Sequence, residues 1–152
     1  MSSWSIRTAV RADRPRLRDI HWQASLTNEG DRAALLARFD EHVLPDPPFD
    51  EGRVRVATDA DGAIVGFATT LAADDALELE DLFVDPEWMR RGIATALIRD
   101  AMEFARREGV GRIDVTGNPH ALAFYESVGF VADGEVATAF GVGFRMHLDV
   151  EG

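Results

Sequence analysis

The chain is predicted to fold as an α/β (α+β) domain on a mixed central sheet, and three observations carry that expectation. Short segments of alternating apolar and polar residues recur along it, the pattern of half-buried strands. Between two of them lies Arg91–Arg107, in which Ile93, Leu97, Ala101, Phe104 and Ala105 follow the spacing of an amphipathic helix. Strand-like and helix-like segments also interleave, as in layered α/β and α+β architectures. With 152 residues the chain is expected to be one domain, residues 1–152, long enough for a real hydrophobic core.

Ser5–Val10 reads as the first strand. Asp13-Arg14-Pro15 reads as a helix start with Asp13 as N-cap, followed by Leu17, Ile20 and Leu26 at roughly helical spacing. Asp31–Phe39 is a second expected helix, with Leu35, Leu36 and Phe39 on one side, and Pro45, Pro47 and Pro48 make the next segment a loop. Arg53–Thr58 and Ala63–Leu71 flank Asp59-Ala60-Asp61-Gly62 and read as a hairpin. In the next strand, Ala76–Val84, Leu77 and Leu79 alternate, but Leu79 to Leu82 is a step of three. One extra residue in a β-bulge explains that step, and bulges are over-represented beside active sites.

The helix Arg91–Arg107 ends near Gly109. Arg112–Thr116 is a short strand and Pro119–Val128 a second short helix closed by Gly129. Phe130–Val136 and Val142–Leu148 form a final antiparallel pair, with Val142, Phe144, Met146 and Leu148 alternating against Gly143, Arg145, His147 and Asp149. The order β-α-α-β-β-β-α-β-α-β-β gives a mostly antiparallel sheet of six to seven strands flanked by about four helices.

Bulk composition narrows the function classes. The formal charge of −11 argues against binding a nucleic-acid backbone, which needs surplus cations. It suits a cationic small molecule or a basic peptide through field steering, and it equally suits solubility alone. The chain contains no cysteine, which excludes disulfides, thiolate metal sites and a cysteine nucleophile. His21, His42, His120 and His147 have no metal-ligand spacing and read as ordinary, so no metal is expected. The first residues lack the apolar stretch of a secretory leader, and no apolar run approaches membrane-spanning length. A cytoplasmic protein without membrane partners is the expectation.

The most informative stretch is Leu82-Phe83-Val84-Asp85-Pro86-Glu87-Trp88-Met89-Arg90-Arg91-Gly92-Ile93-Ala94-Thr95-Ala96-Leu97. It reads as a buried strand, a short turn and a basic, glycine-containing opening of an amphipathic helix. A helix N-terminus presents backbone N–H groups without intrahelical partners and the positive end of the peptide dipoles. That end favours phosphate; Arg90 and Arg91 add charge, and Gly92 removes a Cβ where an anion must approach. The stretch is a candidate diphosphate cradle.

Together with Asn118-Pro119-His120-Ala121-Leu122-Ala123-Phe124-Tyr125-Glu126-Ser127-Val128-Gly129-Phe130 downstream, it resembles the GNAT superfamily of acetyl-CoA-dependent N-acetyltransferases. The element order matches from about Ser5 to Leu148. The family's diphosphate loop has the form Gln/Arg-x-x-Gly-x-Gly/Ala. Here that window is Met89-Arg90-Arg91-Gly92-Ile93-Ala94, with Met89 where Gln or Arg is usual.

The resemblance implies a GNAT fold, acetyl-CoA as cosubstrate and transfer of its acetyl group to a primary amine by direct attack in a ternary complex. It implies that Met89, Arg90, Arg91, Gly92, Ile93 and Ala94 hold the diphosphate. Leu82, Phe83 and Val84 line the pantetheine arm, and the amides from Phe83 to Asp85 align or polarise the thioester. Tyr125, the single tyrosine, stands where the family often has a tyrosine near the thioester sulfur, with Phe124 beside it. A phenol of pKa about 10 is a reasonable proton donor to a thiolate whose thiol sits near 8.5. Asn118 is a hydrogen-bond partner for the pantetheine arm, an N-cap for the following helix, or both.

An amine acceptor must lose a proton before it attacks, and in some family members a glutamate on this strand takes it. Glu80 and Glu78 share one strand face and are the candidates, Glu80 slightly preferred, with Asp81 a third; a solvated acidic edge is the plainer alternative. Trp22, Thr27 and Asn28 fall in the segment expected to shape the acceptor pocket, near His21, and Glu80 belongs to the same pocket. Trp22 reads equally well as core packing. The acceptor is a small-molecule or peptide amine, and a homodimer through the last strands is a family expectation.

Rival anion sites fail on sequence. No Gly-x-x-x-x-Gly-Lys-Ser/Thr exists in a chain without lysine, and no Gly-x-Gly-x-x-Gly follows a first strand. A GNAT-like module that binds acyl-CoA without turnover, as a sensor or interaction module, is the alternative; Met89 favours it.

Overall fold

A computed structural model describes residues 4–26, 46–117, 119, 121–138 and 141–150. Among them are seven strands: β1 (Trp4–Thr8), β2 (Val54–Asp59), β3 (Ile64–Ala73), β4 (Ala76–Val84), β5 (Arg112–Gly117), β6 (Val131–Thr138) and β7 (Gly141–Asp149). The described α-helices are α1 (Arg14–Leu26), α2 (Asp46–Asp50), α3 (Ile93–Arg107) and α4 (Leu122–Ser127). The strands form one sheet in the order β1-β2-β3-β4-β5-β7-β6. It is mixed as expected: β4 and β5 run parallel, while β1–β2, β2–β3, β5–β7 and β6–β7 are antiparallel. By its internal contacts the chain divides into two compact units, Met1–Thr69 with Asp81–Ile98, and Thr70–Glu80 with Arg99–Gly152.

The first unit is organised by a cluster of Ala9, Leu17, Ile20, Phe49, Val54, Val56, Ile64 and Phe67, with Phe83 packed against it. Leu17 and Ile20 are the apolar face of α1, and complete burial of each contributes about 1.5–3 kcal/mol. The β2–β3 turn is the expected one: Asp59 Oδ1 accepts the N–H groups of Asp61 and Ala63, both at 2.9 Å. Asp13 does not cap α1 as expected. A 3-10 turn begins earlier, at Arg11, and the Asp13 carboxylate reaches back to the Val10 N–H at 2.9 Å while pairing with Arg7. The expected loop at Pro47 and Pro48 is instead the one-turn helix α2, since proline is tolerated where first-turn N–H groups have no acceptor. Pro45 and the expected helix Asp31–Phe39 lie outside the described residues.

The second unit pairs β5 with β7 over Arg112–Gly117 and β4 with β5 at Leu77–Leu79. Leu77, Leu79, Ile113, Val115, Met146 and Leu148 are buried, so this sheet has an apolar face and a polar one carrying Glu78, Asp114, Thr116, Arg145 and His147. The β6–β7 register shifts between Ala132 and Gly134, and Asp133 there pairs with His147 Nδ1 at 2.9 Å. α4 is shorter than expected and has Ala121, not Asn118, at its N-cap. Among the described residues no helix is long and apolar enough to cross a membrane.

Candidate active site

The first unit carries the candidate anion cradle. Asp85 follows β4, and its N–H donates to the Val65 carbonyl at 2.8 Å. Its carboxylate accepts the Glu87 N–H at 3.0 Å, capping a 3-10 turn at Pro86–Trp88. Arg90 then takes φ +65° and Gly92 φ +84°. Left-handed backbone at a non-glycine residue costs on the order of 1–3 kcal/mol and survives where the surroundings over-determine it, typically at functional sites.

α3 starts at Ile93, two residues later than expected, because this turn occupies Arg91 and Gly92. Its first hydrogen bond runs from the Ala96 N–H to the Gly92 carbonyl at 3.0 Å, so the amides of Ile93, Ala94 and Thr95 have no intrahelical acceptor. A Cβ on Gly92 would meet nothing within 4 Å, so its positive φ, and not crowding, is what calls for glycine there. The Arg91 guanidinium lies 4.6 Å above the Trp88 ring, while Arg90 and Met89 point to solvent, Met89 at 54% exposure. Free amides, a helix dipole and two arginines suit a diphosphate.

β4 approaches this turn along Leu82, Phe83 and Val84, all half-buried, so the clean alternation of Leu77 and Leu79 stops where the sequence shows its step of three. The Phe83 ring packs between buried His21, with centroids 4.4 Å apart, and Phe67 at 5.7 Å. Trp22 follows on α1, half-buried. Gly66 is where the chain segments converge: a Cβ there would sit 3.1 Å from the Phe83 carbonyl oxygen and 3.2 Å from Ile93 Cγ2.

The second unit carries the candidate proton-transfer groups. Glu78 is half-buried on β4, and Arg145 Nη1, reaching from β7, donates to its two carboxylate oxygens at 2.9 and 3.0 Å and to Thr116 Oγ1 at 2.8 Å. Burial pushes the Glu78 carboxyl above its ordinary value, outweighing the opposing pull of Arg145; the Glu80 and Asp114 charges add to the rise. Glu80 is exposed on the same face. Tyr125 is buried in α4, its ring edge-on to Phe130 at 5.3 Å and 5.5 Å from half-buried Phe124. Gly117 leaves room for that ring, since a Cβ would fall 3.1 Å from two of its carbons.

The cradle residues Met89–Ala94, with Leu82, Phe83, Val84, Asp81 and Trp22, thus belong to the first unit; Glu78, Glu80, Phe124 and Tyr125 belong to the second. Asn118, Thr27 and Asn28 lie outside the described residues. Arg145, Gly66 and Gly117 escaped the sequence reading. A lone glycine inside an apolar strand is a sign of close backbone approach and marks Gly66. Arg145 stood in the alternating pattern of β7 with nothing to name its partner.

Comparison with known proteins resolves the family. Residues 14–130 match the model of the acetyltransferase (GNAT) family. The chain belongs to this family. It is 40% identical over 81 residues to N-acetyltransferase 8 of Homo sapiens, a match covering 47% of the chain and 36% of that protein. It is 38% identical over 85 residues to streptothricin acetyltransferase of Streptomyces lavendulae, covering 53% of the chain and 45% of that protein. The matches therefore span less than half the length of these curated relatives. The fold is that of PaiA N-acetyltransferase from Thermoplasma acidophilum, solved with coenzyme A: TM-score 0.84 and 18% identity over 97% of this chain and 99% of that one.

Proposed function

We propose that this chain transfers an acetyl group from acetyl-CoA to a primary amine. The observation that carries the reading is the turn opening α3, with left-handed Arg90 and Gly92 beneath unbonded helix amides, in a member of the GNAT family. The solved neighbour with coenzyme A and the relative named for streptothricin support the cosubstrate and a small-molecule acceptor. A peptide amine fits the same chemistry.

The amides of Ile93, Ala94 and Thr95, with Arg90 and Arg91, hold the diphosphate; Leu82, Phe83 and Val84 line the pantetheine arm, and Asn118 bonds to it. The amide of Phe83 or Val84 polarises the thioester carbonyl, since the Asp85 N–H is already donated to the Val65 carbonyl. The amine nitrogen attacks that carbon in a ternary complex, and the C–N bond forms as the C–S bond breaks. Glu80 takes the amine proton, directly or through water; its exposed carboxylate is unencumbered by the arginine that engages Glu78. Tyr125 donates a proton or hydrogen bond to the leaving thiolate.

A module that binds acyl-CoA without turnover is the second reading, favoured by Met89, exposed where the family has Gln or Arg. Thiol release from acetyl-CoA across a panel of amines decides between them. Turnover that is amine-dependent and saturable, with acetylated amine in the mass spectrum, supports the transferase; tight acetyl-CoA binding with no amine-stimulated release supports the binding module.

A further inference from the structure

We propose that Arg16 is a positioning residue for the turn that opens α3. Arg16 lies in the first turn of α1, far in sequence from the cradle, yet its guanidinium ties three elements together. Nε donates to the Ile64 carbonyl at the start of β3, 3.0 Å away. Nη1 donates to Asp19 Oδ2 on its own helix at 2.8 Å, and Nη2 to Asp85 Oδ2 at 2.8 Å.

Asp85 is where the turn begins. Its backbone N–H is held by Val65, the neighbour of Ile64, and its other carboxylate oxygen holds the Glu87 N–H. Its carbonyl accepts the Trp88 N–H at 2.8 Å. One carboxylate therefore caps the turn with one oxygen and anchors it to α1 with the other. A planar guanidinium serves three acceptors in fixed directions, which a flexible ammonium cannot do. Five residues beyond Asp85 the backbone enters the strained left-handed conformation of Arg90. A strained turn needs such an external brace to hold one geometry.

The Arg16 side chain is 37% exposed. Its removal leaves no buried cavity, so a brace and a mere stability contact make different predictions. The consequence for the cosubstrate rests on the acetyl-CoA reading above; the consequence for the turn does not. In Arg16→Gln, amide hydrogen exchange at Glu87 and Trp88, whose N–H groups Asp85 holds, is expected to quicken at least about tenfold by local opening, with Tm within about 3 °C of wild type. Calorimetric CoA affinity should fall about tenfold and KM for acetyl-CoA rise likewise, with kcat at saturation unchanged. Arg16→Lys should recover only part of the loss.

Unchanged exchange at Glu87 and Trp88 overturns the proposal, as does faster exchange with unaltered CoA affinity. A loss of kcat without a change in KM overturns it as well. If wild-type protein fails to bind CoA at all, the acetyl-CoA reading falls alone, and the exchange comparison still decides whether Arg16 braces the turn.

Discussion

Gly66→Ala tests how the first unit positions its cradle. The added methyl would sit 3.1 Å from the Phe83 carbonyl oxygen, 3.2 Å from Ile93 Cγ2 and 3.5 Å from Val84 Cγ2. Two of those atoms are branched methyls with little freedom and the third is backbone, so none yields as a flexible side-chain end would. The strand end that precedes the turn and the first residue of α3 must part by a few tenths of an ångström. Overpacking of this kind costs about 1–3 kcal/mol. At roughly 2–4 °C per kcal/mol for a chain of this size, Tm should fall by about 2–12 °C. Because Phe83 and Ile93 flank the cradle, KM for acetyl-CoA should rise as well. Gly111→Ala is the control: a Cβ there meets nothing within 4 Å, and the substitution should be neutral or slightly stabilising through the unfolded chain. Calorimetric melting of both variants and initial rates against acetyl-CoA make the comparison. If Gly66→Ala melts with Gly111→Ala and keeps the wild-type KM, the convergence at Gly66 does not position the cradle.

Tyr125→Phe and Glu80→Gln should each lower kcat by roughly a hundredfold or more while leaving acetyl-CoA affinity nearly intact; an unchanged rate removes that residue from the chemistry. Burial raises the folded-state pKa of Glu78, so its contribution to stability is full in acid and is lost as pH rises through that value. The Tm difference between Glu78→Gln and wild type should therefore drift in the variant's favour from about pH 4 to pH 7, and the opposite drift would show that Arg145 outweighs burial. Asp13 is the reverse case: chiefly its hydrogen bond from Arg7 lowers its pKa, so its contribution is present above the carboxylate range and is lost as pH falls through the folded-state value. Asp13→Asn removes a partly exposed ion pair with Arg7 and should cost at most about 1 kcal/mol at neutral pH and progressively less in acid, as thermal melts across pH would show.

Much of this architecture could be read from the sequence because burial writes a period into it. α3 announced itself through Ile93, Leu97 and Ala101, and the inner half of β7 through Met146 and Leu148, all of them buried. The pattern weakens where burial does. Val142, at the start of β7, is 53% exposed although it belongs to the same alternation. The β2–β3 turn was legible because an Asx side chain and a glycine solve its local backbone problem, whereas Pro47 and Pro48 support either a loop or a first helical turn. Asp13 looked like an N-cap since its neighbours suited one; its reach back to Val10 depends on where the preceding turn begins. At the site, the proposed cradle is a contiguous motif. Arg16 and Asp85, or Glu78 and Arg145, are 69 and 67 positions apart, and only the fold makes each pair.

The most direct test of the central claim is a calorimetric titration of the purified protein with acetyl-CoA, with CoA as the comparison. Saturable one-to-one binding of both ligands is the predicted result, because in the proposed reading the amides and arginines of the α3 opening recognise the diphosphate they share. No heat of binding at millimolar acetyl-CoA would contradict the assignment of this turn as an acetyl-CoA cradle.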